Sequence, residues 1–220
     1  DGRVWITNNG EPEGPAAYDG HRALWTQEYD PKTKRMVGPR KVVVDRGVDP
    51  AAKPIWSEGP HIIKKDGYYY LTAAEGGTSD DHSQTIYRSK SVTGPYVAGP
   101  NNPILTQRNL DPKRAFPVYA TGHADFVQIP NGDWWAVFLA TRPYERNLTN
   151  LGRETFLLPV TWRDGWPEIL PSGKAVPLVA KRPKLPKSKA QPGWLQWRDD
   201  FNRKALGAEW LTRRAPQQAW

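Results

Sequence analysis

The sequence contains no cysteine, one methionine and four histidines among 220 residues. Without cysteine there is no disulfide framework and no thiolate metal site. A chain of this length can bury an adequate core without such staples, so the absence says little about compartment. No apolar run approaches the roughly 18 residues of a membrane-spanning helix. No basic-then-apolar leader opens the chain. Helical periodicity is nearly absent. There is no Gly-x-Ser-x-Gly, no His-Glu-x-x-His and no cysteine nucleophile, which excludes the common serine, zinc and thiol hydrolase patterns.

Proline and aromatics are abundant instead: 22 Pro and 19 Gly, with 11 Trp, 9 Tyr and 5 Phe. The aromatic content argues for a packed core rather than disorder. The net charge is +8, which raises the question of nucleic acid. The charge is uneven, however. Lys174, Lys181, Arg182, Lys184, Lys187 and Lys189 fall in one stretch without an acidic residue, interleaved with Pro177, Pro183 and Pro186. That composition reads as a solvated, semi-rigid linker. No helix-turn-helix, zinc-knuckle or RRM pattern accompanies it, and no nucleic-acid partner is expected.

The organising signal is a repeat. Asp1-Gly2, Asp66-Gly67 and Asn131-Gly132 stand 65 residues apart, and each is followed by an aromatic, β-prone run. Such dipeptides suit tight hairpins because Asp, Asn and Gly tolerate positive φ. The runs lack polar alternation and read as strands buried on both faces. Further strands are expected over Pro60 to Lys64, Gln84 to Ser89 and Asp125 to Ile129. Short strands at a fixed period with Gly/Pro punctuation indicate a radial β-array. At this period a five-bladed propeller needs about 325 residues. The chain is therefore expected to hold about three blades of an all-β propeller, over residues 1–180. A Pro/Lys-rich linker is expected over 181–196, and the opening of a C-terminal β-sandwich over 197–220.

Four segments carry candidate chemistry. Glu58 lies in Trp56-Ser57-Glu58-Gly59-Pro60-His61, beside a large aromatic and before a strand. That is a partly desolvated setting suited to a general acid. His123, in Thr121-Gly122-His123-Ala124-Asp125, could orient a carboxylate, contact a ligand or bind metal. Asp125 would share its strand face if the segment is extended. In Leu151-Gly152-Arg153-Glu154-Thr155, Arg153 and Glu154 face opposite sides of a strand. One of them should face inward, where a guanidinium needs a sugar hydroxyl or a carboxylate. Thr78 closes Ala74-Glu75-Gly76-Gly77-Thr78, whose glycines permit a sharp turn or a close approach to a ligand. His21 and His61 read as structural.

In this order and spacing, the four segments resemble the β-xylosidase and α-L-arabinofuranosidase members of glycoside hydrolase family 43. The resemblance extends through Arg88-Ser89, Gly94-Pro95-Tyr96, Asn102-Pro103-Ile104-Leu105-Thr106 and Asp164-Gly165-Trp166-Pro167. It implies a five-bladed β-propeller with a central active site, followed in many relatives by a β-sandwich. It also implies inverting hydrolysis that releases xylose or arabinose from plant hemicellulose. Glu58 would be the general acid, and Arg153, His123 and Thr78 would bind substrate. The substrate would be a xylo-oligosaccharide or an arabinose-substituted hemicellulose. No cofactor is required. The resemblance allows a structural Ca2+ at the propeller centre, with His123 as its protein contact. The family's general base and its pKa-tuning aspartate match no motif here, so neither is assigned, and the chain alone is expected to be inactive. A non-catalytic carbohydrate-binding propeller and an endo-arabinanase of the same fold are the alternatives. The compartment is left open, with an extracellular or periplasmic setting slightly favoured.

Overall fold

A computed structural model describes residues 2–145, 148–186, 198–207 and 209–210. Their contacts gather into two units, Asp1–Leu185 and Pro186–Trp220.

The first unit is three antiparallel sheets, the blades of a partial propeller. The first sheet has the order β1 (Val4–Gly10), β2 (Ala23–Asp30), β3 (Arg35–Asp45). The second runs β4 (Glu58–Lys65), β5 (Tyr68–Glu75), β6 (Ser83–Ser89), β7 (Val97–Ala98), with the short β8 (Leu105–Thr106) also paired to β6. The third runs β9 (Tyr119–Gln128), β10 (Trp134–Thr141), β11 (Arg153–Arg163), β12 (Trp166–Glu168). The turn dipeptides sit where the repeat places them. Asp66 and Gly67 take φ of 49° and 75° between β4 and β5, and Gly132 takes 91° between β9 and β10. Positive φ at both positions is what a tight hairpin with right-handed strand twist demands.

The second sheet is covered on both faces. Tyr70 and Ile86 join a core with Ala124, Phe126, Phe138 and Leu158 of the third sheet. Leu71, Ala73 and Tyr87 join Leu24 and Val44 of the first. Alternate residues of one strand thus serve two cores, which explains why Tyr68–Glu75 lacks polar alternation. Tyr70 anchors the second sheet to the third: its O–H donates to Gly165 O at 2.6 Å, and its ring meets Trp162 and Trp166 edge-on.

The first run departs from its expected burial. Val4 and Ile6 of β1 are exposed, while Trp5 and Thr7 are half-buried. The first sheet packs on the second with one face only, so β1 alternates. In β10, Val137 is likewise exposed.

In the second unit, residues 187–197, 208 and 211–220 lie outside the described residues, and with them most of the expected linker and much of the expected sandwich opening. Residues 198–207 and 209–210 form no strand. Asp199 accepts there from Phe201 N and Trp210 Nε1, at 2.9 and 2.8 Å, and the Phe201 and Trp210 rings lie 5.1 Å apart.

Candidate active site

Glu58 is the first residue of β4, half-buried and directly opposite Ala74 of β5. The segment before it is held on two sides. Trp56 N donates to Gly20 O at 2.8 Å, and Gly76 N donates to Ile55 O at 2.9 Å. The Trp56 indole lies on the backbone of Gly77, where a β-carbon would come within 2.8 Å of the ring. The two glycines therefore have separate uses. Gly76 makes the turn, and Gly77 admits an aromatic of the protein itself. Thr78 follows on the exposed side of this loop, and no hydrogen bond joins it to Glu58, His123 or Arg153 among the described residues.

His123 is brought to Gly59, the residue after Glu58, by a departure of β9 from regular pairing. Val137 of β10 faces Asp125 and Leu139 faces Gly122, so His123 and Ala124 together face Phe138 alone. A second irregularity follows between Leu139 and Thr141. Bulges of this kind re-aim a side chain, and His123 takes φ 53°. Its ring seats against Gly59, so close that a β-carbon there would fall 2.3 Å from His123 Nε2. Asp125 keeps to the same exposed face as His123, as read, with Ala124 and Phe126 buried on the other, and its Oδ1 is 3.6 Å from His61 Nδ1.

Arg153 and Glu154 open β11 and divide as their alternation requires. Glu154 accepts from Arg142 Nε and Nη2 at 3.0 and 2.5 Å, which holds its carboxyl below the usual range. Arg153 makes no ion pair among the described residues. A cleft of about 290 Å³ opens on the Glu154 side, lined in part by Phe116, Tyr144 and Leu151.

One further residue joins these three. His82 is 1 % exposed, and its Nδ1 lies 2.8 Å from Ala120 O. A carbonyl only accepts, so Nδ1 carries the proton. Burial pushes this imidazole below its ordinary pKa and the Ala120 bond opposes that; His123, Glu58 and Arg153 all act on it electrostatically. Three of the candidates, Glu58, His123 and Arg153, thus act on one buried ring. Glu75, just before the glycine pair, is also buried, and desolvation raises its pKa. His21 is structural as read: Nδ1 accepts from Ala17 N, which leaves Nε2 to donate to Asp45 at 2.8 Å.

Ca2+ takes six to eight oxygen ligands. His123 offers one nitrogen, and the described residues gather no group of three or more His, Asp or Glu side chains that could hold a metal. They do not by themselves build a calcium cage, and no chemical step below is routed through one. Among the described residues no helix is long and apolar enough to cross a membrane.

Bladed antiparallel sheets that set a carboxyl and an imidazole side by side, with a guanidinium acting on the same buried ring, make this unit part of a β-propeller. The chain belongs to glycosyl hydrolases family 43, whose model matches residues 1–167. It is 42 % identical over 172 residues to a xylosidase/arabinosidase of Butyrivibrio fibrisolvens, covering 78 % of this chain and 32 % of the relative. It is 44 % identical over 166 residues to a non-reducing end α-L-arabinofuranosidase of Bacteroides ovatus, covering 74 % and 30 %. The crystal structure of a xylan β-1,4-xylosidase from Bacillus halodurans superposes with TM-score 0.71 at 35 % identity, covering 86 % of this chain and 35 % of that one. The chain spans about a third of the length of these relatives.

Proposed function

We propose that the protein containing this chain is an inverting glycosidase that releases xylose or arabinose from hemicellulose, with Glu58 as general acid. The observation that carries this reading is the seating of His123 against Gly59, the residue after Glu58, with Arg153 in the same electrostatic neighbourhood. The names of the xylosidase and arabinofuranosidase relatives supply the substrate class.

In this reading Glu58 gives its proton to the glycosidic oxygen as the bond to the anomeric carbon breaks. A water, deprotonated by a second carboxylate on the opposite face, attacks that carbon. No residue of this chain is assigned as that base. Arg153 donates in a planar fork to sugar hydroxyls, a role supported by its making no ion pair among the described residues. His123 and Thr78 complete the contacts to substrate.

The test is Glu58→Gln in the protein that contains this chain. General acid catalysis contributes about 10²–10⁴-fold. A loss of that size is expected on xylo-oligosaccharides, whose leaving groups need the proton. The loss should be much smaller on dinitrophenyl pentosides, whose leaving groups do not. Equal rates on oligosaccharides before and after substitution would overturn the assignment. Carbohydrate binding without turnover is a second reading, favoured by the Trp56 indole, which is 46 % exposed beside Glu58 and could stack on a sugar. Absence of turnover with retained oligosaccharide binding would establish it instead.

A further inference from the structure

The bulged stretch of β9 has to be held by something other than its own sheet. Between Ala120 and Ala124 the pairing with β10 shifts twice, and Ala120 and His123 both take φ 53°. Left-handed backbone costs a non-glycine residue about 1–2 kcal/mol, so it persists only where its surroundings over-determine it.

Those surroundings are two side chains of the neighbouring blade. His82, directly before β6, donates from Nδ1 to Ala120 O at 2.8 Å. Gln84, the second residue of β6, accepts at Oε1 from Ala124 N at 2.7 Å. The two bonds bracket the segment, one capturing a carbonyl at its start and the other an amide at its end. Both side chains are fully buried. The His82 ring also lies on Gly122, where a β-carbon would come within 2.8 Å of Nε2. His123 is the residue between the two captured groups whose side chain leaves the core and reaches Gly59.

We propose that His82 and Gln84 form an inter-blade clamp that positions His123 against Glu58 and thereby sets the geometry of proton delivery. They are positioning residues that act through the backbone of Ala120–Ala124. The proposal rests on Glu58 being the general acid, as argued above.

The test uses the full protein and the variants His82→Leu, His82→Asn and Gln84→Met, with Glu58→Gln alongside. A displacement of about 1 Å at a reacting centre can cost roughly 10²-fold. His82→Leu and Gln84→Met are expected to lose up to about that factor in kcat on xylo-oligosaccharides and several-fold less on dinitrophenyl pentosides. His82→Asn, which keeps a donor near the Nδ1 position, should recover much of the loss. A merely structural role would lower both substrates equally, and that result overturns the proposal, as does wild-type activity in both disruptive variants. Should His82→Leu not fold, Gln84→Met carries the same comparison. If Glu58→Gln itself shows no dependence on leaving group, the acid assignment fails. The clamp is then decided by a crystal structure of Gln84→Met: residues 120–124 displaced from Gly59 support it, and an unmoved His123 overturns it.

Discussion

Tyr87 donates its phenolic O–H to Glu75 Oε1 at 2.8 Å, across the β5–β6 ladder and inside the core between the first and second sheets. The same oxygen accepts from Val48 N at 3.0 Å. One carboxyl thus fastens the chain just after β3 to the middle of the second sheet. Tyr87→Phe removes the donor and leaves the buried carboxyl in place. A typical intramolecular hydrogen bond is worth about 0.5–1.5 kcal/mol net. The variant should lose stability of that order in urea unfolding of the full protein, with little change in the slope against denaturant.

Glu75 also makes a pH prediction. Desolvation is the largest influence on it and raises its pKa above the ordinary 4.5, with Tyr87 and Val48 opposing. The folded protein therefore keeps this proton over a range where the unfolded chain has lost it. Stability falls as pH rises through that window and levels off above the folded value. Glu75→Gln keeps an acceptor for Tyr87 and Val48 and does not titrate. The melting temperature of the variant should gain on that of the unsubstituted protein between about pH 4.5 and neutrality. A constant difference across that range would show that the carboxyl is not held protonated by its burial.

The blades were legible in the sequence, and their contacts were not. Asp66-Gly67 and Asn131-Gly132 announce hairpins because the left-handed backbone of Asp66, Gly67 and Gly132 selects such residue types locally, whatever the rest of the chain does. Tyr68–Glu75 announces a strand because both its faces are covered. The exposure of Val4 and Ile6 depends on which sheets pack against β1, and no local window holds that information. Glu58, His123 and Arg153 are proposed from motif order. The bonds made by His82 and Gln84 are not legible in the sequence, because their partners Ala120 and Ala124 lie about 40 residues away. The strand over Gln84–Ser89 is expected from the sequence, but nothing local shows that His82, Ser83, Gln84 and Thr85 are all buried.

Arg153 and Glu154 are neighbours with opposite expectations. Glu154 is tied to Arg142, whose side chain is half-exposed, and solvent screens such pairs so that they contribute little. Glu154→Gln should leave the melting temperature and the kinetics on pentosides nearly unchanged. Arg153→Lys keeps the charge but loses the planar fork. It should raise KM or lower kcat/KM on oligosaccharides by about tenfold or more, the loss of one good charged hydrogen bond. If Glu154→Gln proves the more damaging of the two, the division of roles across this strand end is reversed.

Gly59 is a tightly constrained position of the site. Its φ is 55°, which costs any L-residue about 1–2 kcal/mol. A β-carbon there would stand 2.3 Å from His123 Nε2, 2.6 Å from Cδ2 and 2.9 Å from Cε1, so the imidazole must move before alanine fits. Backbone strain alone predicts a modest drop in melting temperature. Displacement of His123 predicts a separate loss of activity, which should persist at temperatures where Gly59→Ala is fully folded. Measured together, kcat/KM on xylo-oligosaccharides should fall by about an order of magnitude or more while the melting temperature shifts by a few degrees. Wild-type turnover by a folded Gly59→Ala protein would mean that the contact between His123 and the residue after Glu58 is not needed for the reaction.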